Sequence, residues 1–184
     1  MLGLVVVVVA VSALVAHSLY NPPPATGAGP AAAPPSQASA SGSAAPGPST
    51  IAFSTDFAAY PQHDQLLNVL QTYFNAINDK RYDEWLSVVT PTFAAERSKS
   101  NFLDGYKSTH DGSIFVFRLD PAPQNGLLAL VGFTSVQALA DAPDKFPHTC
   151  IHWQVVLPLS WDGNRRQWEI DAGVAGTSPQ AQAC

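Results

Sequence analysis

The charges of this chain are confined to one part of it. All 9 basic and all 14 acidic residues lie after Thr55, and residues 1–54 also hold neither of the two cysteines. A soluble domain needs charged surface, so this division separates a segment that cannot fold as an ordinary domain from one that can. Three parts follow: an apolar segment over residues 1–20, a linker over 21–55 and a domain over 56–184. Roughly 120 residues from Asp64 onward suffice for one modest core, and Trp85, Trp153, Trp161 and Trp168 all fall there.

The formal net charge of −5 belongs to the domain, and basic residues cluster no further than the pairs Lys80 with Arg81 and Arg165 with Arg166. Nucleic acid is therefore excluded as a partner.

Residues 2–16 (LGLVVVVVAVSALVA) are apolar apart from Gly3 and Ser12. Extended to Tyr20, the run is just long enough to cross a hydrocarbon layer of about 30 Å as a helix, with Tyr20 at the interface. Cut short, it reads as a signal-peptide core, and Val11-Ser12-Ala13 has the small-residue spacing of a cleavage site. Both readings stay open. The membrane is the expected partner of residues 1–20. No Lys or Arg precedes the run, so orientation must be argued from the other end of the chain. A buried strand or core helix is the alternative, but the residues that follow are too poor in large apolar side chains to fold around it. That stretch, through Thr50, is rich in Pro, Ala, Ser and Gly without hydrophobic periodicity, as in Pro22-Pro23-Pro24 and Pro34-Pro35. It reads as a disordered, semi-extended spacer.

From Asp64 the pattern changes. Leu66, Leu67, Leu70, Tyr73, Phe74 and Ile77 form one helical face, with Asp64 as candidate N-cap. A second helix carries Tyr82, Trp85, Leu86 and Val89 and stops at Thr90-Pro91. Ser98 or Ser100 can cap a third, with Phe102, Leu103 and Tyr106. Beyond Gly112 the chain is strand-like over 114–119, 127–137, 150–161 and 167–174, the last two joined by a hairpin loop at Asp162-Gly163-Asn164-Arg165-Arg166. In the third strand Ile151, Trp153, Val155, Leu157, Leu159 and Trp161 share one face. In the fourth, Trp168, Ile170, Ala172 and Val174 alternate with Gln167, Glu169 and Asp171. Helices followed by an antiparallel sheet give an α+β fold, two or three N-terminal helices packing on a curved sheet of four or more strands.

This order resembles the NTF2-like (SnoaL-like, cystatin-like cone) superfamily. Residues 70–85 (LQTYFNAINDKRYDEW) look like its opening, an aromatic helix and a short polar link before a second helix. Cys150-Ile151-His152-Trp153 and Gln167-Trp168-Glu169-Ile170-Asp171 look like its closing strands. The whole layout resembles exported actinobacterial proteins, in which such a domain is a binding or interaction module. The resemblance implies a cone that can enclose an apolar pocket. In enzymes of the ketosteroid isomerase or polyketide cyclase type that pocket holds a proton carrier and a hydroxyl or protonated acid for an enolate oxygen. Candidates for such roles are Tyr73, Tyr106, His152 and Asp171. Each also has a plainer reading, the tyrosines as packing residues and the other two on the solvated face of their strands.

Cys150 and Cys184, in an exported chain, are expected to pair. Their disulfide would tie the C-terminal tail to the sheet, contribute about 2–4 kcal/mol and put the domain outside the cytoplasm. A metal is not expected: His148 and His152 on one strand stand roughly 13 Å apart, and two cysteines without a close CxxC cannot complete a zinc site. No cofactor motif is present, GxSxG, P-loop and GxGxxG alike being absent.

Two functions stand against each other. One is a non-catalytic extracytoplasmic module, tethered in the cell membrane or secreted after cleavage, that binds a small apolar ligand, a protein partner or a second copy through the sheet face. The other is a pocket enzyme working by proton transfer. A pocket with a buried carboxylate or His facing a Tyr favours the enzyme, and a side-chain-filled interior favours the module.

Overall fold

A computed structural model describes residues 45–173 and 177–184. The apolar segment and most of the spacer lie outside these residues, and with them the membrane and signal assignments. Among the described residues no helix is long and apolar enough to cross a membrane.

The described chain is α+β, with five α-helices and a six-stranded, mostly antiparallel sheet that is open. Strand β1 (Ala52–Phe53) and helix α1 (Thr55–Ala58) precede the long α2 (His63–Asn78), α3 (Tyr82–Val88), α4 (Pro91–Ala95) and α5 (Lys99–Tyr106). The strands β2 (His110–Ala122), β3 (Gly126–Val136), β4 (Cys150–Asp162), β5 (Gln167–Ile170) and β6 (Gln180–Ala183) follow. The sheet runs β1-β2-β3-β4-β5, and β6 pairs with β4. Only β1 joins in parallel.

Helix α2 forms where the apolar spacing requires it and buries Leu66, Val69, Leu70, Tyr73, Phe74 and Ile77. Asp64 sits in its first turn instead of capping it, next to the favourable positive end of the helix dipole. Thr90 does more than end α3. Its hydroxyl accepts from the Phe93 N–H and starts α4, with Pro91 in the first turn where its missing N–H costs nothing. Ser98, not Ser100, caps α5. Fully buried Trp85 binds these short helices together, its ring centre 5.2 Å from that of Phe93 and 5.4 Å from that of Phe102.

The sheet departs from the expected pattern in three places. First, Trp161 does not share the cover of its row. It is 39 % exposed, because it lies past the reach of the helices and packs edge-on against Trp168, which is buried and donates its indole N–H to Gln62. Second, Glu169 is buried on the face expected to be solvated, with Arg165 at 2.8 Å as its ion-pair partner. Third, the last hairpin strand ends at Ile170. Beyond it the Asp171 N–H still donates to the Pro158 carbonyl.

Residues at the end of the expected spacer belong to the sheet layer. Ile51 is buried, and Gln71 of α2 accepts from the Ile51 N–H and donates to the Ser49 carbonyl, each at 3.0 Å. The chain at Pro46 and Gly47 lies so close over Gly112 that a Cβ there would stand 2.4 Å from the Gly47 carbonyl oxygen. Just after this contact β2 bulges, between Gly112 and Phe115, and again between Val116 and Arg118. The first bulge leaves Asp111 facing the interior at the start of the strand, where the candidate site is found.

Candidate functional site

The interior between the helices and the sheet is not filled by side chains. A pocket of about 210 Å³ remains, walled by Tyr73, Phe74 and Ile77 of α2 and by Phe133, Trp153 and Leu157 of β3 and β4. The β4 alternation explains the sheet wall: Trp153, Val155 and Leu157 face inward, while His152, Gln154 and Val156 face out. An apolar hole of about 150 Å³ accommodates benzene, so this one has room for a single ring with a short substituent.

One end is polar. Tyr106 at the close of α5, Asp111 at the start of β2 and Ser135 on β3 converge there, with Thr109 and Gln137 nearby. Tyr73 and Tyr106 line this end together, close enough for each to raise or lower the other's ionisation. Ser135 donates its hydroxyl to Asp111 Oδ1. Asn78, the last residue of α2, clasps the Asp111 backbone, accepting from its N–H at 2.7 Å and donating to its carbonyl at 2.9 Å. A side-chain amide on the helix end thus fixes where the strand begins and where the carboxyl points.

Burial dominates the electrostatics. Asp111 is 3 % exposed, and loss of hydration raises its pKa to about 6, against the opposing pull of Ser135, Lys80 and His110. Burial likewise lifts the Tyr73 hydroxyl well above the ordinary tyrosine range, with Tyr106 and then Asp111 adding to the rise and Arg97 opposing it. The Tyr106 hydroxyl is raised for the same first reason, while the Arg97 guanidinium, 5.1 Å over its ring, works the other way. Both tyrosines are therefore neutral donors over the biological pH range. Across the site Asp141 holds the loop after β3 to the end of α5, accepting from Lys107 at 2.8 Å and Ser108 at 2.6 Å. Those bonds keep its carboxyl below the usual range.

Of the four residues named from sequence, the structure brings Tyr73 and Tyr106 together in this pocket and leaves the other two outside it. His152 is exposed on the outward face of β4, its Nδ1 2.8 Å from the Thr134 hydroxyl. Asp171 receives the Thr90 hydroxyl at 2.8 Å and the Ala172 N–H, and so joins the end of the hairpin to the start of α4. Asp111 was not among the sequence candidates. It stands in Thr109-His110-Asp111-Gly112, which reads as a polar turn ahead of an apolar strand, and its partners Asn78 and Ser135 are 33 and 24 residues away. The one local signal was a carboxylate two residues before Ser113-Ile114, where strand alternation begins.

Cys150 and Cys184 are joined by a disulfide with a Cα–Cα distance of 5.4 Å. No group of three or more His, Cys, Asp or Glu among the described residues is placed to hold a metal ion. His148 instead packs on Phe146, ring centres 4.5 Å apart. Comparison of the chain with protein-family models, with curated proteins and with solved structures gives no match.

Proposed function

We propose that this chain is an extracytoplasmic binding protein of NTF2-like type whose domain takes up one small, largely apolar molecule between α2, α5 and the sheet. The observation that carries the reading is the pocket: apolar aromatic walls closing on a few convergent polar groups, the usual composition of a small-molecule site. The disulfide supports an oxidising compartment, since paired cysteines are rare in the cytosol. Residues 1–20 would supply the membrane anchor or export signal. The sheet face and a second copy become secondary to the pocket as the place where recognition happens.

A second reading meets the criterion set for the enzyme, an unfilled pocket with a buried carboxyl facing tyrosines, and rests on Asp111; it comes second because both readings require binding and only this one requires chemistry as well. A buried carboxyl with a pKa of about 6, beside two neutral tyrosine hydroxyls, is equipped to move a proton next to a carbonyl group held by the tyrosines. This is the proton-transfer alternative, with Asp111 as carrier in place of His152 or Asp171.

Thermal unfolding of the full chain against a panel of monocyclic compounds tests the first reading. Several degrees of stabilisation are expected in the wild type and none in Val155→Phe, which fills the pocket. An unresponsive wild type, or an equal response in the variant, would end it. Cyclohexanone in heavy water tests the second reading. Protein-dependent deuterium uptake beside the carbonyl, lost in Asp111→Asn, is the expected sign of proton transfer, and no uptake leaves binding alone.

A further inference from the structure

We infer that the pocket selects a small organic cation, a protonated amine on an apolar ring or short chain, with Asp111 as its counter-ion. The inference rests on the pocket being the binding site and adds the charge of what enters it.

Three observations converge. The first is the carboxyl itself. Asp111 is buried, and its single side-chain hydrogen bond comes from the neutral Ser135 hydroxyl. No Lys, Arg or His among the described residues lies within ion-pair distance of it. Lys80, on the link after α2, spends its ammonium on the Asn78 and Thr109 carbonyls, and His110 on the same strand is exposed. Tyr73 from α2 and Tyr106 from α5 face it as neutral hydroxyls. Buried carboxylates are ordinarily paired, and this one lines the pocket without an ion-pair partner among the described residues.

The second is the wall. Tyr73, Phe74, Tyr106, Phe133 and Trp153 present aromatic surface to the space, and none of its lining residues is a Lys or Arg. Ring faces attract cations, the more so out of water. The chain already shows this at the outer side of the site, where Arg97 stands over the Tyr106 ring. The remaining rings carry no cation of the protein's own among the described residues.

The third is the state of the other acid. Asp141 also reaches the pocket, but Lys107 and Ser108 already satisfy it, so the site holds one carboxylate without an ion-pair partner, not two. One unit charge in a space for about eight non-hydrogen atoms matches a monovalent amine. An anionic ligand would meet Asp111 with the same sign at short range, and a neutral ligand would leave the carboxylate unpaired.

Benzylamine, benzyl alcohol and benzoate share a ring and differ in charge, so calorimetric titration of the full chain with each distinguishes the cases. Benzylamine is expected to bind at least about tenfold more tightly than benzyl alcohol at about pH 7.5, a difference of about 1.4 kcal/mol, and benzoate more weakly than either. Its affinity should rise from about pH 5 to about pH 7.5 as Asp111 ionises. In Asp111→Asn the preference for benzylamine over benzyl alcohol should disappear. The pH series needs no variant, so the inference stays testable if Asp111→Asn fails to fold. Equal affinity for amine and alcohol, preference for benzoate, or amine binding that is flat or falling with pH would overturn the cation while leaving the pocket. No binding of any of the three, or binding that persists in Val155→Phe, would overturn the pocket reading itself.

Discussion

Asp111 holds its charge at a cost. An Asp in the unfolded chain loses its proton near about pH 4, whereas in the fold burial delays this to about 6. Below about pH 4 both states are protonated and the group does not affect stability. Between the two values the folded chain binds the extra proton, so stability falls as pH rises; above about 6 both states are ionised and the whole penalty remains. Two pH units correspond to about 3 kcal/mol. Asp111→Asn keeps an acceptor for the Ser135 hydroxyl and removes the charge. It should be more stable than the wild type by about 1–3 kcal/mol at about pH 7.5, with the gap closing near about pH 4. Urea unfolding at the two pH values measures this. A variant less stable at both would mean that its surroundings fully compensate the carboxylate. Stabilisation by loss of a site residue is the expected signature of a group kept for function.

At the scale of elements, β6 shows what holds an edge strand that has little to bury. Gln180, Gln182 and Ala183 are exposed, and the strand meets β4 only through Ile151 to Gln154. The Cys184 N–H to Cys150 carbonyl bond and the disulfide fasten its end. Cys184→Ser should therefore lower stability by about 2–4 kcal/mol. Amide exchange in Gln180–Ala183 should become nearly as fast as in an unfolded peptide, with β3 still protected. Slow exchange in that variant would show that the sheet pairing alone suffices. The cysteine pair was legible because the chain holds only two cysteines, which an exported domain is expected to join. The strand was not, since Gln-Ala-Gln-Ala has no apolar alternation and low strand propensity, and its partner is the exposed edge of a strand some thirty residues earlier. Helix α2 and the inward row of β4 were legible for the opposite reason, each burying a face whose period is written in adjacent residues. Tyr73 followed from the α2 face and Tyr106 from the shorter apolar run Phe102, Leu103 and Tyr106 of α5. Asp111 did not, because its surroundings come from α2, α5 and β3 and exist only after those elements have met.

The whole domain begins earlier than its charges do. The first charged residue is Asp56, but the layer that covers α2 and β2 starts before it. Ser113 donates its N–H to the Pro48 carbonyl at 2.8 Å, Gln71 binds the backbone at Ser49 and Ile51, and the Ser54 N–H donates to the Val116 carbonyl at 3.0 Å. Ile51 adds a buried side chain to the same core that Leu66 and Phe74 serve. Composition could not show this, because a single Ile at the end of a stretch rich in Pro, Ala and Ser carries no period. Its position is determined by the close approach at Gly112, a contact with backbone on both sides. Burial of Ile51 contributes about 1.5–3 kcal/mol, and the hydrogen bonds roughly 1 kcal/mol each where they are shielded. A fragment of residues 56–184 should accordingly be less stable than one of residues 45–184 by roughly 2–5 kcal/mol, as measured by urea unfolding of the two with the disulfide intact. Equal midpoints would show that residues 45–55 merely lie on the surface. A loss of the expected size would make the short strand β1 and the turn before it part of the folding unit, so that any tether to a membrane begins upstream of Pro46.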